Sequence, residues 1–266
     1  LINMIALDLD NTLLTNDKRI SQRNELALKK LHDEGMRVVL CTGRPINAIW
    51  NYIDQLGLTG ADDYTITFNG ALVVHNNDKA VLAKQGMKRD GLAPLYDFSK
   101  SHGYSLDVLD FEQDYQISDL APSIYADKLG NTLKYTATPF AGLADQLYSK
   151  AVIAQPREVV DKVQSVVDQS LLDHYHIVRS QPHILEFLDH DMDKAVGLKT
   201  LLGHFGWTFE NLMTFGDAEN DLGMLKAAQV GVSMANGTDA VKAVANEVTL
   251  SNEEDGVAAF TENYFA

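Results

Sequence analysis

The chain has 266 residues, 45% of them hydrophobic, enough for one large domain or two moderate ones, and its 18 Gly and 6 Pro exclude collagenous and low-complexity classes. Acidic residues outnumber basic ones 37 to 22 with no Lys/Arg run to offset them, so the mean field repels a phosphate backbone and no nucleic acid partner is expected. The single cysteine, Cys41, rules out an internal disulfide and a cysteine-based zinc cage, which agrees with a reducing, cytoplasmic location.

At the N-terminus, Leu1 to Leu7 is too short and lacks the basic start of a secretory signal, and Asp8 interrupts it, so export is not expected. Met4 to Leu9 reads as an apolar strand, and Gln22 to Glu34 as a helix with Leu28 and Leu31 on one face, stopped by Gly35. Arg37 to Cys41 predicts a second strand. Pro45 opens a helix over Ile46 to Leu56 closed by Gly57, and Tyr64 to Phe68 predicts a third strand. This βαβαβ order implies a parallel sheet with right-handed crossovers and helices on both faces.

After Asn69-Gly70 the pattern changes, and Ala71 to Val74 and Ala80 to Ala83 around Asn76-Asn77 read as a hairpin. The apolar run ending at Val74 is, like the others, far shorter than the roughly 18 residues of a membrane span, so no membrane partner is expected. Residues 84–189 read as an inserted α+β unit, with a helix over Leu92 to Ser101, strands near Tyr104 to Leu109 and Ser149 to Ile153, a helix over Pro156 to Leu172, and strands over His174 to Val178 and His183 to Leu188. From Asp193 the alternation resumes with helix Lys194 to Phe205, strand Leu212 to Phe215, helix Asn220 to Ala227, strand Val230 to Met234 and a helix from Asp239. The expected fold is therefore α/β: a doubly wound, Rossmann-like parallel-sheet core from residues 1–83 and 190–266, interrupted by the insert.

In such a sheet, ligands bind beyond the carboxyl ends of the strands. Four predicted strands end in polar residues: Asp8-Leu9-Asp10-Asn11-Thr12, Thr42-Gly43-Arg44, Asn69-Gly70, and Gly216-Asp217-Ala218-Glu219-Asn220-Asp221. The aspartates of these segments would repel one another at a shared rim unless a divalent cation neutralised them. Carboxylate oxygens without nearby His or Cys favour Mg²⁺ over zinc, and a magnesium site with few protein ligands leaves room for water and a substrate phosphate. One carboxylate of the Asp8-x-Asp10 pair could attack phosphorus while the other protonated the leaving oxygen and later deprotonated water. An isolated Asp-x-Asp is ordinarily a helix cap or a solvated turn. A calcium loop from Asp8 is excluded, because Leu13 and Arg19 stand where Gly and Glu are required. Cys41 reads as buried core, the eight histidines have no metal spacing, and Tyr104, Tyr115, Tyr125 and Tyr135 read as packing residues.

Taken together, Asp8-Leu9-Asp10-Asn11-Thr12, Thr42-Gly43-Arg44, Lys194 and Gly216-Asp217-x-x-Asn220-Asp221 resemble, in order, the motifs of the haloacid dehalogenase (HAD) superfamily phosphatases. Asn69-Gly70-Ala71, the closing Glu254-Asp255-Gly256-Val257 and an insert between the second and third motifs resemble the Cof-type branch, whose α/β cap faces the catalytic rim and governs substrate specificity. The resemblance implies Asp8 as nucleophile and metal ligand, and Asp10 as general acid/base lending its backbone carbonyl to the metal. It implies that Thr42 bonds the transferring phosphoryl group, that Lys194 neutralises it and orients Asp8, and that Asp217 and Asp221 serve the metal. Gly43, Arg44, Asn69 and Asn220 complete the implied phosphate and metal surroundings.

Two positions depart from the branch: Ala195 stands where Gly is usual, and Gly237 follows Asn236 where Ala is common. Neither removes a reacting group, and the presence of Asp10 disfavours dehalogenation. The expected activity is a Mg²⁺-dependent phosphatase on a small phosphorylated metabolite, sugar phosphates foremost, through an aspartyl-phosphate on Asp8. A phosphomutase or phosphotransferase on the same residues, and a non-catalytic phospho-ligand-binding regulator, remain as alternatives. The sequence leaves the oligomeric state open.

Overall fold

The computed structural model describes residues 1–129 and 134–266, and in it the first strand, β1 (Met4–Leu7), is apolar and wholly buried at all four positions. A strand apolar on both faces must lie between two layers. It pairs in parallel with β2 (Arg37–Leu40) on one side and β12 (Leu212–Gly216) on the other. With β13 (Val230–Ser233) and β14 (Glu247–Val248), the sheet runs β14-β13-β12-β1-β2. Ile5 and Leu7 face Leu28 and Leu31 of α1 (Gln22–Asp33), Ile53 of α2 (Trp50–Leu56) and Val257 of α10 (Gly256–Tyr264). Met4 and Ala6 face the other way, onto Leu198 and Leu201 of α7 (Lys194–His204) and Met224 of α8 (Leu222–Ala227). The period-two alternation of one strand thus seeds both helical layers of the doubly wound core. A further helix, α9 (Asp239–Val244), follows β13, capped by the Thr238 hydroxyl.

Two expectations for this region change. The third predicted strand, β3 (Tyr64–Thr67), touches the parallel sheet through a single bridge, Cys41 to Ile66, and otherwise heads an antiparallel sheet with β4 (Leu72–His75) and β5 (Val81–Lys84). A 3₁₀ turn over Phe68–Gly70 sends the chain straight back along β3, so no crossover can follow it. The helix expected from Ile46 is likewise divided into a 3₁₀ turn, Ile46–Ala48, and α2, because Ile49 adopts φ −134° with its side chain fully buried.

The chain separates into two compact units, Leu1–Lys84 with Asp193–Ala266, and Gln85–Met192; the sequence reading had placed the insert at 84–189. The insert contains α3 (Arg89–His102), β6 (Asp107–Leu109), β7 (Gln113–Ile117), α4 (Tyr125–Leu129), β8 (Lys134–Thr138), β9 (Lys150–Ala154), α5 (Arg157–Val166), α6 (Gln169–His174), β10 (Tyr175–Gln181) and β11 (Ile184–Asp189). Its sheet, β10-β11-β9-β6-β7-β8, is antiparallel except between β7 and β8. β7, α4 and β8 had no counterpart in the sequence reading. The helix expected over Pro156 to Leu172 is two helices, because Asp168 turns extended and caps α6 through the Leu171 N–H. Among the described residues, no helix is long and apolar enough to cross a membrane.

One face of the insert's sheet is apolar, with Val108, Ala151, Ile153, Leu185 and Phe187 against Leu92, Leu95, Val160, Val163 and Leu171. The opposite face buries charge: Lys150 pairs with Glu186 at 2.9 Å, Ser123 donates to Asp107, and neither oxygen of Asp114 has a hydrogen-bond partner among the described residues. Burial pushes the Asp107 carboxyl up to about 7 despite the Ser123 hydroxyl. Burial, then the charge of Asp107, pushes Asp114 up to about 8, against the pull of Lys150. Acids whose folded pKa lies above the unfolded value favour the folded state fully at low pH, and that contribution is lost as pH rises through the folded values. Thermal unfolding of the full chain should therefore show the wild type losing stability relative to Asp114→Asn from about pH 4 to about pH 8. A difference between the two that does not change with pH, or that reverses sign, would contradict this.

Candidate active site

The neighbouring strands β1 and β12 each deliver their next residue to one acidic cluster. β1 ends at Leu7, and Asp8 follows with its N–H held by the Phe215 carbonyl of β12 at 3.1 Å. β12 ends at Gly216, and Asp217 follows, accepting from the Thr12 hydroxyl at 2.8 Å. A 3₁₀ turn over Glu219–Asp221 folds Asp221 back, where its Oδ2 accepts from the N–H groups of Asp217 (2.9 Å) and Ala218 (3.1 Å). Gly216 permits this return, since a Cβ there would stand 2.5–2.8 Å from Asp221 side-chain atoms. Asp193 caps α7 by accepting from the Val196 N–H at 3.1 Å, which makes Lys194 the first residue of the helix.

Lys194 has no solvent exposure, and its Nζ lies 2.5 Å from Asp8 Oδ1 and 2.7 Å from Asp221 Oδ1. Burial by itself would lower the ammonium's pKa, but Asp221 and Asp8 hold it above the ordinary lysine range. Asp8 is pushed well above the usual carboxylate range by burial, with Lys194 opposing and Asp221 and Asp217 adding to the rise. Asp217 is pushed up to about 6 by burial and by Asp221, against the Thr12 hydrogen bond. Carboxylate oxygens of Asp8, Asp217 and Asp221 all lie within 4.8 Å of one another. One ammonium among three carboxylates leaves excess negative charge, and the hard oxygen donors suit a divalent cation of the magnesium or calcium kind. Both oxygens of Asp221 are already engaged, so Asp8 and Asp217 are the side chains placed to hold such an ion directly, with Asp221 orienting Lys194 and the Asp217 backbone.

The Asp10 carboxylate is not one of the three that gather within 4.8 Å, although its charge reaches Asp217. This carboxylate takes Arg44 in a two-pronged contact, Nε to Oδ2 at 2.7 Å and Nη2 to Oδ1 at 2.6 Å, and Lys18 Nζ on Oδ1 at 2.8 Å. Burial would raise its pKa, but the Arg44 hydrogen bonds and charge, then those of Lys18, bring it below the usual range. On the other side of the rim, buried Thr42 accepts from the Arg44 N–H at 3.1 Å, and its carbonyl accepts from the N–H of Asn69 at 3.1 Å. Asn69 sits in the left-handed region at φ 55° and accepts from Asn220 Nδ2 at 3.1 Å. A Cβ on Gly43 would meet the Asn69 amide at 2.8–3.3 Å. Thr42, Gly43, Arg44, Asn69 and Asn220 therefore form a second, uncharged-to-cationic group beside the acidic trio.

Lys18 and Asp193 were missed in the sequence. Asp193 could have been found, because Asp directly before a predicted helix start is an N-cap signal. Lys18 lies in the polar turn Thr15-Asn16-Asp17-Lys18 and carries no motif.

A family model described as haloacid dehalogenase-like hydrolase matches residues 5–260. The chain is 35% identical over 269 residues to the Bacillus subtilis 5-amino-6-(5-phospho-D-ribitylamino)uracil phosphatase YitU, covering 99% of this chain and 97% of that protein. It is 31% identical to the Escherichia coli pyridoxal phosphate phosphatase YbhA, covering 97% and 96%. Among solved structures, a haloacid dehalogenase-like hydrolase from Bacteroides thetaiotaomicron superposes with TM-score 0.83 at 29% identity over 100% of both chains.

Removing one partner of a buried ionic network leaves the others uncompensated, at about 3–5 kcal/mol. Lys194→Met should lower the metal-free unfolding free energy at neutral pH by about that amount in urea titrations, with partial recovery in acid as the carboxylates protonate. An unfolding free energy within experimental error of the wild type would show that the ammonium does not balance the trio.

Proposed function

As the chain belongs to the Cof-type branch of the haloacid dehalogenase-like hydrolases and is a phosphatase, we propose that it hydrolyses small phosphorylated metabolites, sugar phosphates foremost, in a Mg²⁺-dependent reaction through an aspartyl-phosphate on Asp8. The observation that carries this reading is the Lys194 ammonium bonded to Asp8 Oδ1 beside two further buried carboxylates. Two relatives, named for phospho-ribitylamino-uracil and for pyridoxal phosphate, act on small phosphomonoesters, which supports the substrate class.

Held by Asp8 and Asp217, Mg²⁺ would keep Asp8 ionised and offset charge on the phosphoryl oxygens. Lys194 fixes Asp8 Oδ1 and adds positive charge where the phosphoryl group arrives. The Asp8 carboxylate attacks phosphorus, the ester bond breaks, and the leaving oxygen takes a proton from Asp10. Water then attacks the acyl phosphate, giving its proton to Asp10 and releasing Asp8 and inorganic phosphate. Thr42, Arg44 and Asn69 supply donors along the other side of the rim, and the insert is assigned the selection of substrate.

Purified protein should release phosphate from p-nitrophenyl phosphate in the presence of Mg²⁺ and stop on addition of EDTA. Asp8→Asn should lose activity by at least about 10⁴-fold, as loss of a nucleophile does, with an unchanged circular dichroism spectrum. A folded Asp8→Asn protein with near-normal turnover would falsify the covalent route.

A further inference from the structure

Two segments singled out in the sequence take no part in the scheme above, Asn236-Gly237 and the closing Glu254-Asp255-Gly256-Val257, and the structure brings their neighbourhoods together against the loop that leaves β1. After β13 the chain makes a tight turn, in which the Gly237 N–H donates to the Met234 carbonyl at 2.9 Å and the Thr238 N–H donates to the Asp217 carbonyl at 3.0 Å. The turn therefore rests on the backbone of one member of the acidic trio. Asn236 stands exposed on it, with Nδ2 donating to the Asn11 carbonyl at 2.8 Å and Oδ1 accepting from the Asn252 N–H at 3.0 Å. Both partners are main-chain groups of fixed polarity, so the amide can face only one way.

Asn252 is itself buried and firmly placed. It opens a 3₁₀ turn over Asn252–Glu254, closed by Glu254 Oε2 accepting from the Ser251 hydroxyl at 2.6 Å. Its Nδ2 donates to the Leu14 carbonyl at 3.0 Å and to Asn16 Oδ1 at 3.3 Å, and the neighbouring Glu253 Oε1 accepts from the Asn16 N–H at 2.6 Å. These bonds bracket Thr12. The peptide joining Asn11 to Thr12 is held at its oxygen by Asn236 and at its N–H by the Leu9 carbonyl at 3.3 Å. Asn11 lies at φ 59°, a left-handed conformation in which the loop gains from bonds supplied by the rest of the fold. Fully buried Thr12 then donates its hydroxyl to Asp217 Oδ1 at 2.8 Å, and Asp217 Oδ2 has no hydrogen-bond partner among the described residues.

Resting on the Mg²⁺-dependent reading above, we propose that Asn236, held in turn by Asn252, is a positioning residue for the cation: by fixing the Asn11 carbonyl it fixes Thr12, and Thr12 turns Asp217 so that one oxygen is bound and the other is presented to the metal. Asn236 touches neither the metal nor the substrate in this scheme. A group that orients a ligating side chain is worth roughly 10–100-fold in metal affinity, and a residue that acts through it is worth less.

The test is the Kd for Mg²⁺ alone, read from the Mg²⁺ dependence of the melting temperature of the EDTA-treated full chain at neutral pH. The variants are Asn236→Ala, Thr12→Val, Thr12→Ser and the Asn236→Ala/Thr12→Val double. Asn236 is exposed, so alanine there opens no cavity, whereas removing the Asn252 amide would leave the Leu14 carbonyl without its partner. Thr12→Val keeps the branched shape and deletes the hydroxyl, and should weaken binding about 10–100-fold; Asn236→Ala should weaken it about three- to tenfold. Thr12→Ser, which retains the hydroxyl, should stay nearer the wild type than Thr12→Val. The double variant should bind within about twofold of Thr12→Val, because the route from Asn236 to Asp217 is already cut. An unchanged Kd in Asn236→Ala or Thr12→Val, a serine variant as weak as the valine one, or losses that multiply in the double would overturn the assignment while leaving the Mg²⁺ reading intact. A wild type whose melting temperature does not respond to Mg²⁺ would overturn that reading and this inference with it.

Discussion

An ammonium without solvent persists only where carboxylates surround it, and three separate stretches of this chain meet to satisfy that condition at Lys194. Asp8 comes from the end of β1, Asp221 from the turn after β12, and Lys194 itself from the first position of α7. The lysine is 186 residues from Asp8 and 27 from Asp221 in sequence, so the network can form only when the parallel core is assembled. Such networks are poor sources of stability, since hydrophobic residues of the same volume would serve as well. What this one supplies is placement: it fixes Asp8 Oδ1 and holds together a cluster whose charge is incomplete without a further cation. A buried acidic cluster left short of positive charge is one suited to a divalent cation.

Two carboxylates only two positions apart occupy opposite electrostatic conditions. Asp8 is buried beside two further acids and is pushed upward, whereas Asp10 is met by three cationic donors and is pulled downward. Both stand beyond the end of β1, and Asn11, at φ 59°, follows them in a left-handed conformation. Environment, and not residue type, sets the two carboxyl groups apart. Environment also depends on residues that are themselves remote from any reacting atom, Tyr52 and Asp193 among them.

The sequence was most legible where burial is two-sided. β1, β2 and β12 are short continuous apolar runs followed by polar residues, which gave both the strands and the rim that Asp8, Thr42 and Asp217 occupy. Helix α1 was marked by Gly35, and α7 by the resumption of the βα alternation after the insert. The insert was less legible for a physical reason: β7, Gln-Asp-Tyr-Gln-Ile, and β8, Lys-Tyr-Thr-Ala-Thr, have no apolar alternation. The face they share with β6, β9 and β11 buries Asp107, Asp114, Lys150 and Glu186, so the usual polar-out rule fails there. The motif resemblance named residues that the structure gathers near one another, but Lys18 escaped it because what holds it near Asp10 is a left-handed turn and a tyrosine 34 residues away. β3 was misplaced because a strand's partners depend on the turn after it, and the left-handed Asn69 that makes this turn is not announced by periodicity.

The same turn shows how closely backbone geometry and site chemistry are joined. Gly70, at φ 103°, lets the chain pass against the carbonyl of Asp193, where any Cβ would collide. That contact sets the Phe68–Gly70 turn beside the start of α7, with Asn69 facing Asn220 and Lys194 facing Asp8. Asp221 illustrates the consequence for the proposed metal. Its Oδ1 is held by Lys194 and its Oδ2 by two backbone N–H groups, bonds that shape the loop carrying Asp217 and leave Asp221 more engaged than Asp8 or Asp217. Keeping them leaves a site with few protein carboxylates and the rest of its coordination open. Magnesium, which dehydrates reluctantly and retains waters beside one or two carboxylates and a substrate phosphate, tolerates that sparse donor set, whereas calcium, with its six to eight oxygen ligands, is served less well by it.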